Sequence, residues 1–299
     1  MDSLENMRVF VAVAEGAGFA AAARRLRMSP PAVTRAIAAL EEHVGARLLN
    51  RTTRTVRLTE SGQRFLVDVK RILADLAEAE ASAAGTHGEL RGTLSVTAPT
   101  MFGRMHVAPV LLEFLEKHRA VVGRFLVLDR IVSLAEEGVD VAVRIAHLSD
   151  SSLVAVKVGS VRPMVVASPG YVRKHKKIRS PEDLSQHDCI VVDASFGRSV
   201  WTFGEGAEEL SVHPRVRMIV NTSEVAIGAA LAGHGVTRVL SYQAAAHVRS
   251  GALVDVLPAF QCEIPVHLVY AEGRHAALRS RAFVDFAAPR LRKVISTGQ

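Results

Sequence analysis

The chemistry of this chain concentrates in Ser29-Pro-Pro-Ala-Val-Thr-Arg-Ala-Ile-Ala-Ala-Leu-Glu-Glu-His43. Val33, Ile37 and Leu40 recur at i, i+4 and i+7, which predicts a helix with one buried stripe. Ser29 suits the N-cap, and Pro30 suits the first helical position because the N–H it lacks would have no intrahelical partner. At about 100° per residue, the opposite face carries Pro31, Arg35 and Ala38, with Thr34 and Ala32 beside them. A face meant for water would hold Glu, Lys and Gln. This one is cleared of bulk and keeps one guanidinium and one hydroxyl, which suits close contact with another surface. A second donor-rich stretch, Arg47-Leu-Leu-Asn-Arg51-Thr-Thr-Arg54-Thr-Val-Arg57-Leu58, sets Arg among β-branched residues and reads as a two-stranded wing. Residues 1–58 hold nine Arg against five acids, and guanidinium, hydroxyl and amide donors at that density are the footprint of phosphate contact.

Those groups need a frame. Ser3 to Glu15 predicts a helix with Leu4, Met7, Phe10 and Ala14 on one side, ended by Gly16. Gly18-Phe19 makes a turn, Ala20 to Leu26 a short Ala-rich helix, and Arg27-Met28 the turn into the helix at Ser29. Helix, tight turn and second helix is the order in which the second helix enters a DNA major groove. The competing reading, a small helical core with a solvated basic surface, needs helix order, wing and charge to coincide by chance.

Phe10-Val-Ala-Val-Ala-Glu15-Gly-Ala-Gly-Phe19, Ala22-Ala23-Arg-Arg-Leu26, Ser29 to Ile37, Leu40-Glu41, Gly45-Ala-Arg-Leu-Leu-Asn-Arg51 and Leu58-Thr59-Glu-Ser-Gly62 resemble, in order, the winged helix-turn-helix of the LysR-type transcriptional regulators. The chain departs from that pattern at Gly18, Pro30 and Leu49, where the family has Ser, commonly Gln, and Phe. Pro30 thereby removes an amide that would reach a base or phosphate. The exposed face and the resemblance together assign DNA contact to Ser29, Pro30, Pro31, Ala32, Thr34, Arg35, Ala38, Arg51, Thr53 and Arg54.

The 299 residues fit two or three domains, and 49% hydrophobic content supports a substantial core. A net charge of +7 and a pI near 9.8 favour an anionic partner, although composition does not choose between nucleic acid and acidic lipid. No run of about twenty apolar residues and no signal-peptide pattern is present, so the expectation is a soluble, cytoplasmic protein with no membrane partner. Cys189 and Cys262 cannot build a disulfide framework. Cys189 heads an Ile-Val-Val run and reads as a buried strand residue; Cys262 reads as more exposed. The 12 His are scattered without metal-ligand spacing, and no nucleophile elbow, P-loop or dinucleotide fingerprint occurs, so neither a cofactor, nor a metal, nor an enzyme activity is expected.

Thr59 caps an element running to about Ala84, in which Phe65, Val69, Ile72, Leu76, Ala79 and Ala83 follow a 4-3-4-3-4 spacing. That seam packs either on its own domain or against a second copy; the resemblance implies the latter, giving a dimer that reads two half-sites related by a dyad, with a tetramer also open. Gly85-Thr-His-Gly88 is the expected hinge. The expected domains are 1–58 (winged head), 59–87 (linker helix) and 88–299 (effector-binding).

From Arg91 strands alternate with helices. Strands are expected at Thr93–Ala98, Phe125–Leu128, Val139–Ile145, Met164–Ser168, Cys189–Val192, Val216–Val220, Val236–Leu240 and Pro265–Tyr270, with one further element at Gln243–Val248. Helices are expected at about Met101–His118, Arg130–Glu137, Pro169–His175, Ser223–Ala232 and Arg279–Val294. The rhythm implies an open parallel α/β sheet. Asp129 to Ile145, Asp150-Ser-Ser-Leu153, Ala167-Ser168-Pro169 and Ala232 to Ser241 are similar to the effector-binding domain of the same family. The resemblance implies a fold like a periplasmic binding protein, with lobe I at about 88–162 and 267–299 and lobe II at about 163–266. Ligands of such sheets sit at strand carboxyl ends near helix N-termini. Thr100, with Met101 and Phe102 after it, and Thr222-Ser223 lie at such junctions; Arg144-Ile145 ends a strand and Arg238 lies within one. These are the expected contacts for a small organic or aromatic acid, with helix capping and ion pairing as the alternative for each. The implied function is a ligand-responsive transcription factor with double-stranded DNA, an effector, itself and RNA polymerase as partners; the other class is an α/β binding protein or enzyme with an accessory basic head.

Overall fold

The computed structural model describes residues 3–16, 18–51, 56–83, 90–148, 153–193, 200–204, 209–271 and 278–297. The chain divides into two compact units, Met1–Gly92 and Thr93–Gln299.

The first unit holds α1 (Ser3–Glu15), α2 (Phe19–Leu26), α3 (Pro30–Val44), β1 (Leu49–Arg51), β2 (Val56–Leu58) and α4 (Glu60–Ala83). Arg27 ends α2 in a left-handed conformation (φ 53°), and the N–H of Met28 reaches back to the Ala23 carbonyl, turning the chain sharply into α3. Val9, Phe10, Val13, Ala22, Val33, Ile37, Leu40 and Leu48 fill the core. Gly45 closes α3 at φ 70°. β1 and β2 pair antiparallel, Leu49 opposite Leu58 and Asn50 opposite Arg57.

Thr59 starts α4 as the sequence requires: its Oγ1 accepts from the Gly62 N–H at 2.9 Å. Gly62 lies so close to the wing that a Cβ there would stand 2.0 Å from the Leu48 carbonyl oxygen. The first half of the α4 seam is spent on its own head. Phe65 meets Phe10 with ring centroids 5.7 Å apart, Val69 is fully buried, and Lys70 pairs with Glu15 at 2.9 Å. One turn on, Ile72 is 40% exposed. The reading in which the seam packs on its own domain holds for this first half. The expected hinge at Gly85–Gly88 lies outside the described residues.

The second unit begins with β3 (Gly92–Ala98), α5 (Thr100–Phe102), a π-helical turn (Gly103–Val107), α6 (Ala108–Lys117), β4 (Val121–Val127), α7 (Leu134–Glu137), β5 (Val141–Ile145) and β6 (Leu153–Val161). Then come β7 (Pro163–Ala167), α8 (Pro169–Lys174), β8 (Asp188–Val192), β9 (Trp201–Phe203), β10 (Leu210–Val212), β11 (Arg215–Val220), α9 (Ser223–Leu231), β12 (Val236–Leu240), α10 (Ser241–Arg249), β13 (Val254–Asp255), β14 (Ile264–Ala271) and α11 (Leu278–Thr297). Two five-stranded sheets form, β4-β3-β5-β14-β6 and β11-β8-β12-β7-β13, one per lobe.

Neither sheet is wholly parallel, which corrects the expectation. β3 runs parallel to β5, and β8 parallel to β11 and β12, but β14 is antiparallel to both β5 and β6, and β7 to β12. The reason is connectivity: the chain leaves one sheet along β6 and returns along β14, so the crossing strands pair in opposite directions, Ile264 opposite Val161 and Ala271 opposite Leu153. The helix expected at Arg130–Glu137 contracts to Leu134–Glu137. Ser133 caps it and Gly138 stops it at φ 61°, while Arg130 lies outside and binds Glu137 with two hydrogen bonds of 2.7 and 2.8 Å.

Candidate functional site

The head presents one face of α3 outward. Val33, Ala36, Ile37 and Leu40 are sealed inside the head, while Ser29, Pro30, Pro31, Thr34, Arg35 and Ala38 are exposed and Ala32 half-buried. Ser29 occupies the N-cap position with extended backbone (φ −74°, ψ 146°), but its hydroxyl makes no capping bond, contrary to the sequence expectation. Its carbonyl does that work, accepting from the N–H groups of Ala32 at 2.9 Å and Val33 at 3.1 Å. Pro30 and Pro31 carry no N–H, so the first turn of α3 has no backbone donor to spare for an anion. Recognition at this end falls to side chains. Thr34 donates its hydroxyl to the Pro30 carbonyl at 3.1 Å, keeping its methyl group and an oxygen lone pair outward.

Among the described residues, the guanidinium groups of Arg24, Arg27, Arg35, Arg47 and Arg57 take part in no ion pair. Glu15 is engaged elsewhere: it binds Lys70 and Arg25, both at 2.9 Å, and these partners hold its carboxyl below the usual range. Guanidinium groups without an ion-pair partner leave this surface suited to phosphate. Of the other expected DNA contacts, Arg51 ends β1, and Thr53 and Arg54 lie outside the described residues.

Glu41 is the residue whose role sequence reasoning missed. Its Oε1 accepts from the backbone N–H groups of Leu48 at 2.9 Å and Leu49 at 3.1 Å, tying the end of α3 to the start of the wing. The signal available in the sequence was an acid four residues before Gly45, the glycine that ends the helix.

In the second unit, Thr100 and Thr222-Ser223 do lie at strand-to-helix junctions. Arg104, one turn beyond Thr100, forms an ion pair with Glu224, the residue after Ser223, so the two helix starts face one another across a cleft between the lobes. Neither Thr100 nor Thr222 caps its helix by a side-chain bond. The Thr100 N–H is already taken by Asp129 Oδ1 at 2.8 Å, which removes one of the donors expected there for a ligand. Met101 is half-buried and Phe102 fully buried.

The structure does not bring Arg144 to these groups as a free cation. Its Nη2 donates to the Val132 carbonyl at 3.0 Å, and Ile145 sits in the sheet opposite Val266. Arg238 projects from the face of β12 opposite to α9, against the β9–β10 hairpin. Its Nη2 donates to the Thr202 carbonyl at 2.6 Å, and its guanidinium lies 5.0 Å from the Phe203 ring centre. Its Nε is buried with no partner among the described residues, and burial draws its pKa below the usual arginine value. Cys189 is fully buried; burial pushes its thiol up to about 12, so it is a poor nucleophile.

A winged head with a bare arginine-bearing helix face, joined to a two-lobed α/β domain with a cleft, defines a DNA-binding regulator that senses a small molecule. Residues 4–63 match the bacterial regulatory helix-turn-helix protein, lysR family, and residues 87–292 the LysR substrate binding domain. The chain belongs to the LysR-type transcriptional regulators. It is 33% identical to an HTH-type transcriptional repressor of Pseudomonas aeruginosa, covering 96% of this chain and 91% of the relative. It is 28% identical to the HTH-type transcriptional activator TtdR of Escherichia coli, over 95% and 92% of the two chains. Among solved structures, the LysR-type regulator CrgA of Neisseria meningitidis aligns with a TM-score of 0.59 at 30% identity over 96% of this chain and 98% of that one. Full-length AphB of Vibrio cholerae aligns at 0.59 and 26% over 100% of both. These are families of regulators and not of enzymes, which sets aside the alternative of an enzyme with an accessory basic head. No described helix is long and apolar enough to cross a membrane.

Proposed function

We propose that this protein binds dyad promoter sites as a homodimer joined through α4, assembling further to a homotetramer, and that a small organic or aromatic acid sets its activity. It works in the cytoplasm, where the promoter and RNA polymerase are available. Ser29, Pro31, Ala32, Thr34, Arg35 and Ala38 face the bases, and Arg51, Thr53 and Arg54 in the wing contact phosphates. The observation that carries this reading is the division of α3: Val33, Ile37 and Leu40 are sealed in the head, and the opposite side is slim and cationic.

Arg238 has a buried N–H group without an acceptor among the described residues, but it lies on the face of β12 away from α9, so the donors proposed for the effector are the hydroxyls at the helix starts. Thr222 and Ser223 at the start of α9 add hydroxyl donors across the cleft from Thr100. Arg144 braces the Val132 loop instead of reaching for ligand. Binding would favour one arrangement of the lobes and hence of the paired heads.

The test is a salt-dependent gel shift against the promoter region beside the protein's own gene, followed by a thermal-shift screen with small acids. A dyad site bound at least a thousandfold tighter than random DNA, with affinity falling steeply in salt, is the expected outcome. Equal affinity for both DNAs would refute it. Acids that raise the melting point of wild type, but not of the Thr100→Ala/Thr222→Ala variant, would locate the effector in the cleft.

A further inference from the structure

A second cavity lies apart from the helix starts at Thr100 and Ser223. It measures about 110 Å³ and is walled by Phe102, Met105 and His106 from the α5–π segment, Tyr242 and Arg249 from α10, and Ile295 from α11. Its back is apolar: Phe102 is fully buried, and Val161 and Ile295 are nearly so. The π-helical turn at Gly103–Val107 carries Met105 and His106 to the wall; such turns insert one extra residue into a helix and recur at binding sites. Gly103 lets the turn sit close to the sheet, since a Cβ there would stand 2.7 Å from Val127 Cγ1.

The polar groups are few and of distinct kinds. Tyr242 is packed edge-on against Phe102 (5.3 Å) and His106 (5.7 Å), and its hydroxyl accepts from Gln243 Nε2 at 3.2 Å. Ser160 donates to Glu263 at 2.7 Å, and Ser241 accepts from the Arg162 N–H at 3.2 Å, so both hydroxyls are in use. His106 has no hydrogen bond to its ring nitrogens among the described residues, and burial pulls its pKa down, so it meets a ligand as neutral imidazole. Arg249 is the one formally charged residue among those lining the cavity. It is exposed at the rim, and no described carboxylate or carbonyl engages its guanidinium.

We propose that this cavity is a second ligand site, taking a small monocarboxylate with a compact branched or cyclic apolar body. The body fills the space between Phe102, Val161 and Ile295, and the carboxylate lies at the rim on Arg249, with His106 as a neutral hydrogen-bond partner. The volume fits this class: an apolar cavity of about 150 Å³ accommodates one benzene ring, so this one holds four or five carbons and leaves the carboxylate at the mouth. Arginine recognises a carboxylate through two parallel N–H donors, and a site walled by apolar groups favours acids that carry hydrocarbon. Because its walls come from both lobes, a ligand here also bears on their arrangement. The site shares only Phe102 with the residues assigned to the cleft and stands independently of that assignment.

The test uses full-length protein carrying ¹³C-methyl methionine, with the Met105 signal identified by Met105→Leu. Isovalerate, in millimolar titration, is expected to shift the Met105 methyl signal. Acetate (same charge, no body) and isopentylamine (same skeleton, opposite charge) are expected not to. Arg249→Gln should weaken isovalerate at least tenfold, and Ala245→Leu, which fills the cavity, should abolish the shift while Trp201 fluorescence reports a folded domain. Thr100→Ala/Thr222→Ala should bind isovalerate as wild type does. No shift at Met105, an equal response to isopentylamine, an unchanged affinity in Arg249→Gln, or a loss confined to the Thr100→Ala/Thr222→Ala variant would each overturn the proposal.

Discussion

Replacing Glu41 tests whether the wing is positioned by α3. Its carboxylate oxygen accepts two backbone N–H groups, from Leu48 and Leu49, whose own side chains are buried at 0% and 3% exposure. Alanine there would leave both donors without their acceptor. Hydrogen bonds to charged groups contribute about 1.5–3 kcal/mol each; because one oxygen serves both, the two do not add fully, and Glu41→Ala should cost the head about 2–4 kcal/mol. For a domain of this size that lowers the melting point by roughly 10–30 °C. Glu41→Gln keeps a neutral oxygen in place and should recover about half of the loss. The assay separates the two units without cutting the chain. The only tryptophan, Trp201, is buried in the effector domain, so its fluorescence follows that unit, while far-UV circular dichroism also follows the helical head. Glu41→Ala should split the transition, moving the dichroism midpoint down and leaving the fluorescence midpoint in place. Operator affinity should fall for every sequence, since a loosened wing costs phosphate contacts. A Glu41→Gln variant as impaired as Glu41→Ala, or a Glu41→Ala variant with an unmoved dichroism midpoint, would refute the reasoning.

Arg35→Ala should cost about 1–3 kcal/mol of discrimination between operator and mismatched sites, read by competition gel shift. Arg57→Ala should instead weaken binding to all DNAs and lower the salt slope by about one unit, with Arg51→Ala and Arg54→Ala behaving alike. Ile72→Glu, on the exposed stretch of the α4 seam, should weaken self-association at least tenfold in analytical ultracentrifugation while Trp201 fluorescence stays native; an unchanged oligomer would place the contact elsewhere. The effector domain should lose stability in mild acid. Burial lowers the pKa of His106, His187 and His267 below the ordinary histidine value, so the unfolded chain binds protons first as pH drops through about 6.5, and the Trp201 midpoint should fall between pH 7 and pH 5. Substituting the three histidines with glutamine should flatten that dependence.

How much of this was legible depended on how local the cause was. The face of α3 follows from a seven-residue apolar period, and the start of α4 from Thr59 with Gly62 three residues on; both are written in neighbouring residues. The strand β6 went unread because Lys157 and Gly159 interrupt its apolar run, and what makes it a strand is pairing with β14, a hundred residues away. The antiparallel crossing strands were hidden for the same reason: direction in a sheet is decided by connectivity between lobes, and periodicity is blind to it. Ser29 takes the N-cap position that its residue type suits, but its hydroxyl accepts no capping bond, since its own carbonyl already takes the N–H groups of Ala32 and Val33. Arg144 and Arg238 are equivalent in sequence terms, each a cation on a strand near a junction. Only the backbone around them separates a guanidinium that braces a loop from one left with a buried N–H to satisfy.

The Arg104–Glu224 pair raises the question of what holds the lobes in one arrangement. Its side chains are 65% and 41% exposed, and ion pairs that wet contribute about 0–1 kcal/mol, less in salt. Shifting a two-state equilibrium from 1:99 to 99:1 takes about 5.5 kcal/mol of differential binding. The pair therefore sets the register in which the lobes meet, and the ligand has to supply the rest. A charge-assisted hydrogen bond to the ligand carboxylate would add about 1.5–3 kcal/mol, and burying about 100 Å² of hydrocarbon another 2.5 kcal/mol. Neither part suffices alone. Along a series of acids at equal saturation, the activity switch should therefore be weak for acetate and grow with apolar area, whereas neutral amides of the same skeletons should fail. A series in which switching tracked charge alone would show that the lobes are held by contacts other than these.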